Sequence, residues 1–263
     1  MPARAAYSDR KALFQQTLMM VLLAGLALGA AQVYFVSEET LGTVGTLTSI
    51  ILYGSIAAIV ASRILAFHPF SVFGWPNAVT LGRTVIATLI AGYTAEISAW
   101  SLDPSSRLAW TFAILAFTAV ALDGLDGWLA RNVGPRSAFG ARFDMESDAL
   151  LIMILSVLAL VLGKAGPWVL LIGGLRYIFV AAAYLLPWLD APLPPSMRRK
   201  TVCVIQGLSL CLLAAPVITG LSAQLIAGFA LLCLVYSFGT DSLWLYRNRT
   251  ETRHDQQPVV GDR

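Results

Sequence analysis

Residues 123–148 read DGLDGWLARNVGPRSAFGARFDMESD, and this stretch joins the end of one apolar segment to the start of the next. It places four aspartates at the edge of hydrocarbon: Asp123, Asp126, Asp144 and Asp148. Because a carboxylate is costly to remove from water, four of them at such a place indicate a bound cation. We therefore expect the chemistry of the chain to lie in this stretch.

The rest of the chain has the composition of a membrane protein. Of its 263 residues, 57% are hydrophobic and only 13% are charged, and the mean hydropathy is +0.73. The apolar runs are continuous, which favours helices over the alternating strands of a membrane barrel. The sequence thus predicts an all-α, polytopic helical membrane protein. Eight spans are expected, at residues 14–36, 43–66, 77–98, 107–130, 143–163, 167–187, 202–220 and 222–246.

Lysine and arginine gather on one side of these predicted spans. That side includes both termini and the loop between the fourth and fifth spans, where the aspartate stretch lies. By the positive-inside rule, both termini and the aspartates face the cytoplasm. The site would then meet soluble nucleotides and metal ions on their own side of the membrane.

Several other features exclude alternatives or predict packing. A net charge of +3 is too small to indicate nucleic-acid binding. Cys203, Cys211 and Cys233 lie inside apolar runs without metal-ligand spacing, so we expect small core residues there and neither a disulfide nor a zinc site. The two histidines, His68 and His254, are isolated, and we expect both at the surface.

The spacing of the aspartates gives the predicted site a geometry. Asp123 and Asp126 are three residues apart and Asp144 and Asp148 are four apart, so each pair lies on one face of a helix. Oxygen ligands from two adjacent helices suit Mg²⁺ or Mn²⁺. Arg131 lies within reach of a phosphate that such a metal also holds, which suggests a pyrophosphate ligand. For any single aspartate, the alternative is a solvated carboxylate or one paired with a nearby arginine.

The same stretch fits the pattern D-x-x-D-G-x-x-A-R-x8-G-x-x-x-D-x-x-x-D at every fixed position. Those positions are Asp123, Asp126, Gly127, Ala130, Arg131, Gly140, Asp144 and Asp148. In this pattern the chain resembles the CDP-alcohol phosphotransferases, membrane enzymes that make phospholipid head-group linkages. The segment from Pro76 to Arg83 is similar to the usual opening of that family's first core helix. The resemblance implies a six-helix core at 70–246, preceded by a two-helix extension at 1–69 and followed by a polar, disordered tail at 247–263.

The resemblance also implies roles for these residues. It implies transfer of a phosphatidyl group from CDP-diacylglycerol to an alcohol, with release of CMP, by a homodimer in a bacterial cell membrane. Asp148 would be the catalytic base. Two Mg²⁺ or Mn²⁺ ions would be held by Asp123, Asp126, Asp144 and Asp148. The CDP group and its pyrophosphate would contact Asp123, Gly127, Ala130, Arg131 and Gly140.

A phosphorylated acceptor is predicted from charge, and glycerol 3-phosphate is placed first because its product is widely needed in bacteria. Basic residues on the cytoplasmic side favour a polyol phosphate, with glycerol 3-phosphate first and inositol phosphate, serine and choline as alternatives. Tyr177 follows Arg176, where glycerophosphate-using members of the family often have an acidic residue. The candidate acceptor-binding residues are Arg83, Arg136, Arg142, Arg176, Arg198, Arg199 and Lys200. Two rival classes remain open: a cation transporter that uses the four aspartates, and a catalytically silent homologue.

Overall fold

A computed structural model shows a bundle of α helices. Its described residues are 2–100, 106–132 and 137–249 for the backbone, and 10–99, 107–124 and 137–249 for the side chains. Within these residues there are eight α helices and no strand. The helices are α1 (Pro2–Ser37), α2 (Thr43–Phe67), α3 (Trp75–Trp100), α4 (Ser106–Asn132), α5 (Ala138–Val161), α6 (Leu170–Leu185), α7 (Met197–Ala214) and α8 (Gly220–Arg247). The predicted fold, a polytopic helical membrane protein, is confirmed; the predicted polar tail lies, from residue 250 onward, outside the described residues.

Six of the eight helices are long and apolar enough to cross a membrane: α1, α2, α3, α4, α6 and α8. The other two, α5 and α7, carry several charged residues in their first halves. These are Arg142, Asp144, Glu146 and Asp148 in α5, and Arg198, Arg199 and Lys200 in α7. Both of these helices therefore carry charged residues of the predicted site. That they also span the membrane stays a prediction.

The boundaries of α7 differ from the sequence prediction at both ends. The helix begins at Met197 and ends at Ala214, whereas a span at 202–220 was expected. It ends early because Pro216 has no N–H to continue the helix and biases the residue before it toward extended backbone, which Ala215 adopts (φ −70°, ψ 135°). It begins early because the basic triplet forms its first turn. Arg198 and Arg199 are consequently held at fixed positions on a helix.

Helix α3 lies at the centre of the bundle. It packs against α1, α2, α4 and α5 and is the most enclosed of the six apolar spans. Its buried threonine hydroxyls bond within the helix, as when Thr84 Oγ1 donates to the Thr80 carbonyl at 2.9 Å and Thr94 Oγ1 to the Ile90 carbonyl at 2.7 Å. This central helix carries Arg83 into the interior.

The first two helices pack closely on α3. A side-chain carbon at Gly45 would lie 2.7 Å from the Gly92 carbonyl oxygen, so the two backbones touch where both residues are glycine. Beside this contact, a carboxylate oxygen of buried Glu96 accepts a hydrogen bond from the Gly45 N–H at 2.6 Å. The Ser49 hydroxyl donates to the Thr88 carbonyl at 2.9 Å. The helices of segment 1–69 therefore share one hydrophobic core with the helices that follow.

The prediction that His68 lies at the surface is wrong. Its exposed fraction is 7%, and it lies directly after α2 on the path to α3. An isolated histidine in sequence carries no sign of burial, because its partners come from distant segments. His254 lies outside the described residues.

Candidate active site

Three of the four predicted aspartates surround one arginine. Asp123 comes from α4, Asp144 and Asp148 come from α5, and Arg83 comes from α3. Arg83 Nη1 donates to Asp123 Oδ1 at 3.2 Å and to Asp144 Oδ1 at 2.9 Å, while its Nη2 donates to Asp148 Oδ1. One oxygen of each carboxylate lies within 4.8 Å of the others. The helical spacing has thus brought both α5 aspartates to the face that meets α4 and α3.

The charges of this cluster do not balance. The Arg83 side chain is only 3% exposed, and a guanidinium at that depth is tolerated because charged partners surround it. Among the residues whose side chains are described, three carboxylates against one guanidinium leave a formal charge of −2. The carboxylates are more exposed than the arginine. Asp148 is the least exposed of the three, with 26% of its side chain exposed. The negative side of the cluster therefore opens toward space that a ligand can enter.

These residues fit a divalent cation. Carboxylate oxygens are the ligands that Mg²⁺ and Mn²⁺ prefer, and three of them converge from two helices. The residual charge of −2 would be neutralised by one such ion. Asp123, Asp144 and Asp148 are hence the described residues that could hold a metal.

Several residues of the motif can be placed only by their backbone. Asp126, Gly127, Ala130 and Arg131 lie in the last turns of α4, with Asp126 three residues after Asp123, and their side chains lie outside the described residues. Arg136 falls entirely outside the described residues.

Gly140 lies in the first turn of α5, against the first turn of α3. A side-chain carbon there would lie 2.7 Å from Asn77 Oδ1, so only glycine lets the two helices approach this closely. Asn77 itself is buried and donates through Nδ2 to the Phe73 carbonyl at 2.5 Å. The first turns of α3 and α5 are therefore in close contact at Gly140.

Two cavities meet at Asp148. The first, of about 300 Å³, lies among α3, α4, α5 and α7, and its polar lining includes Arg83, Asp123 and Asp148. The second, of about 280 Å³, lies among α5, α6, α7 and α8, and its polar lining includes Asp148, Arg176, Arg199 and Asp241. Asp148, Ile152 and Cys203 line both. A group bound in one cavity therefore lies next to a group bound in the other.

The arginines of the second cavity are paired with carboxylates. Arg176 Nη2 donates to Glu146 Oε1 at 3.0 Å. Asp241 Oδ1, on α8, accepts from Arg198 Nη2 at 2.5 Å and from Arg199 Nη1 at 3.3 Å. Arg198 also donates through Nη1 to the Ser237 carbonyl at 2.9 Å. These contacts orient the guanidinium groups at the cavity wall.

The remaining candidate residues for the acceptor lie elsewhere. Arg83 contacts the aspartate cluster and lines the first cavity. Arg142 is exposed and lies 3.8 Å from Glu146, one turn along the same helix, and Lys200 is exposed at the start of α7. An acceptor role for these residues stays a prediction.

Sequence reasoning missed Asp241 and Glu146. Asp241 was detectable, since a lone carboxylate in an otherwise apolar span is a functional candidate by default and two predicted arginines needed a partner. Glu146 carried a weaker signal, because it stands among the aspartates and looks like one more solvated acid.

The fold and site define a helical membrane protein with a carboxylate cluster between two cavities. The sequence model of CDP-alcohol phosphatidyltransferases matches residues 73–237, and the chain belongs to this family of transferases, whose members use a CDP-alcohol and an alcohol acceptor in the membrane. The match begins at the last residues before α3 and ends within α8, so it omits α1 and α2. No solved structure matches the chain at a significant level.

Proposed function

We propose that this protein transfers a phosphatidyl group from CDP-diacylglycerol to an alcohol and releases CMP, as a metal-dependent step of phospholipid synthesis. The observation that carries the proposal is the position of Asp148 on the shared wall of two cavities. One cavity has the carboxylate cluster for the pyrophosphate and its metal, and the other has oriented arginines for the acceptor. A transferase needs two substrates adjacent at one reacting atom, and this arrangement supplies that.

The first cavity suits a lipid-linked donor. Apart from Arg83, Asp123 and Asp148, its lining is largely apolar. The apolar residues include Phe117, Val120, Leu151, Val204 and Leu208. A charged end and an apolar wall match a molecule with a pyrophosphate at one end and acyl chains at the other. Gly127, Ala130, Arg131 and Gly140 are proposed to contact the CDP group at the charged end.

Asp123, Asp126, Asp144 and Asp148 are proposed to hold Mg²⁺ or Mn²⁺. When bound, the ion neutralises phosphate charge and helps to orient the pyrophosphate. Arg83 adds a fixed positive charge beside the same carboxylates. Two ions are the proposed number.

Asp148 is proposed to act as the base. Its carboxylate accepts the proton of the acceptor hydroxyl, whose oxygen forms a bond to the phosphorus that bears the diacylglycerol. The bond from that phosphorus to the oxygen bridging the two phosphates breaks, and CMP leaves with that oxygen. Because Asp148 also borders the acceptor cavity, the hydroxyl needs no movement between the cavities before it reacts.

The acceptor is proposed to be a polyol phosphate, with glycerol 3-phosphate first and inositol phosphate, serine and choline as alternatives. Arg176 and Arg199 line the acceptor cavity with their guanidinium groups already oriented by carboxylates. An oriented guanidinium binds a phosphate through two parallel hydrogen bonds, which supports a phosphorylated acceptor.

The site and both termini are proposed to face the cytoplasm of a bacterial cell, and the protein is proposed to be a homodimer. The positive charges of α7 support this orientation. The mass of the detergent-purified particle by light scattering tests the dimer, and labelling of single cysteines at the termini in sealed cells tests the orientation.

The proposal is tested by measuring CMP release from CDP-diacylglycerol by the purified protein, with Mg²⁺ or Mn²⁺ and one acceptor at a time. Release with one acceptor, absent in Asp148→Asn protein and without metal, is the expected result and names the product. Silence with every acceptor from a folded protein contradicts the proposal. If liposomes that contain the protein take up Mn²⁺ and no CMP is released, the protein is instead a transporter.

A further inference from the structure

His68 connects the first two helices to the helix that carries Asp144 and Asp148. It follows α2 directly and lies before residue 73, where the family match begins. Its ring is buried, and both ring nitrogens make contacts at 2.8 Å, Nδ1 with the Ser137 hydroxyl and Nε2 with the Val72 carbonyl oxygen. Ser137 is 69 residues away in sequence, so the ring joins two separate parts of the fold.

The two contacts assign the direction of each hydrogen bond. A carbonyl oxygen only accepts, so Nε2 carries the proton and donates to Val72. In the neutral form of the ring Nδ1 is an acceptor, and the Ser137 hydroxyl then donates to it. Ser137 uses its oxygen to accept from the Gly140 N–H at 2.9 Å. Every group in this chain of hydrogen bonds has a defined role.

Ser137 is the N-cap of α5. It has extended backbone (φ −121°, ψ 152°), and its side chain satisfies one of the N–H groups that the first turn leaves without a helical partner. Asp144 and Asp148 lie about two and three turns further along this helix. A shift of its first turn would therefore move both carboxylates relative to Asp123 on α4 and Arg83 on α3.

The ring of His68 also restrains α5 laterally. It packs edge-on against Phe139, in the first turn of α5, with ring centroids 6.1 Å apart, and against Phe70 at 5.5 Å. In the same turn, Gly140 lies in close contact with the side chain of Asn77. The first turn of α5 is thus held between the start of α3 and a residue that belongs to the extension.

We propose that His68 is a positioning residue, through which the two-helix extension fixes the N-terminus of α5 and so the geometry of its two aspartates. This assigns the extension a role in the site even though, among the described side chains, neither of its helices contributes one to the aspartate cluster. The metal readout below rests on the proposed function, whereas the hydrogen-exchange readout does not.

Two substitutions at position 68 separate the contact with Ser137 from the contact with Val72. In His68→Asn, the amide oxygen takes the place of Nδ1 and accepts from Ser137. In His68→Gln, the amide nitrogen takes the place of Nε2 and donates to Val72. Both variants lose the ring contacts equally, so they differ only in which hydrogen bond survives.

The first readout is amide exchange in residues 138–148 of the purified full-length protein without metal. His68→Gln is expected to exchange about tenfold faster than wild type there, the order expected when a helix cap is weakened. His68→Asn is expected to stay within about threefold of wild type. Equal exchange in the Asn and Gln variants overturns the proposal, whatever the activity of the protein.

The second readout is the Mn²⁺ concentration that gives half of the maximal rise in melting temperature. It is expected to increase about fivefold in His68→Gln, less than the 10- to 100-fold typical when a direct partner of a metal ligand is lost. Ser49→Ala is the matched control, because it removes a buried hydrogen bond between α2 and α3 that involves no residue of α5. An equal shift in Ser49→Ala would show that the extension only stabilises the fold, and would overturn the proposal. If wild type shows no Mn²⁺ effect at all, the metal assignment fails and the exchange experiment alone decides the role of His68.

Discussion

The two charged clusters of this protein have opposite compositions. Between α3, α4 and α5, three carboxylates surround one guanidinium. Between α7 and α8, two guanidinium groups share the carboxylate of Asp241. Counted over the described side chains, the first cluster has a formal charge of −2 and the second of +1. Each contains a residue of the opposite charge that fixes its side chains in place.

This difference supports metal and donor binding on one side of Asp148 and acceptor binding on the other. An excess of carboxylate attracts a cation, and an excess of guanidinium attracts an anion. The minority residue of each cluster, Arg83 in one and Asp241 in the other, keeps like charges from repelling one another before a ligand arrives. Changing the charge of either cluster should therefore affect the use of one substrate and leave the use of the other unchanged.

The largest effect is expected from Asp144→Asn. It removes a charged ligand from the carboxylate cluster, so CMP release should fall by at least about 10³-fold and the stabilisation by Mn²⁺ should disappear. CMP release and melting temperature are measured on the same preparation. Glu146→Gln, two residues away and facing Arg176, makes the same charge change and should keep the Mn²⁺ stabilisation. Loss of the Mn²⁺ stabilisation in both variants would contradict the claim that only the carboxylate cluster binds the metal.

Arg83→Gln should reduce the stability of the protein and strengthen its binding of metal. Without metal, the free energy of unfolding should fall by about 3 kcal/mol, because three carboxylates lose their shared buried partner. The rise in melting temperature on adding Mn²⁺ should be larger than in wild type, since the same oxygens now carry a charge of −3. Exposed Arg63 provides the control in Arg63→Gln. A smaller Mn²⁺ response in Arg83→Gln would mean that the arginine helps to hold the metal.

Asp241→Asn should act on the acceptor alone. Arg198 and Arg199 lose the carboxylate that orients them, so KM for the acceptor should rise about tenfold while kcat stays within about threefold. Steady-state kinetics at saturating CDP-diacylglycerol measure both. Asp190→Asn removes an exposed carboxylate on the loop before α7 and should change neither constant. An effect of Asp241→Asn on the KM for CDP-diacylglycerol would contradict the claim that this cluster acts on the acceptor alone.

The smallest effect is expected from methylthiolation of Cys203, which lines both cavities. The added group is small and uncharged, so KM for donor and acceptor should both rise, each by less than the acceptor KM in Asp241→Asn. The reaction is followed in a Cys233→Ala background, so that Cys233 does not react with the reagent. Cys211 is left in place because it is buried. Cys203→Ala protein should not respond to the reagent. A change in only one KM would indicate that the thiol faces one cavity.

Sequence predicted the elements of the site better than their contacts. The spacing of Asp144 and Asp148 placed both on one face of α5, since helical periodicity alone decides that. The position of Arg83 among the aspartates was not predicted, because a residue 40 positions before Asp123 reaches it only through the packing of α3 against α4. The end of α7 was missed although Pro216 marks it, because hydropathy continues past the proline.

By itself, the sequence determined that this is a helical membrane protein of the CDP-alcohol phosphatidyltransferase family, with its aspartates at one end of the helices. Those features depend on local composition and on short spacings, which the chain carries in every conformation. Tertiary structure alone decided which charges meet. Asp241 pairs with Arg198 and Arg199, and His68 reaches Ser137, because burial forces each polar group to find a partner among whichever helices pack beside it.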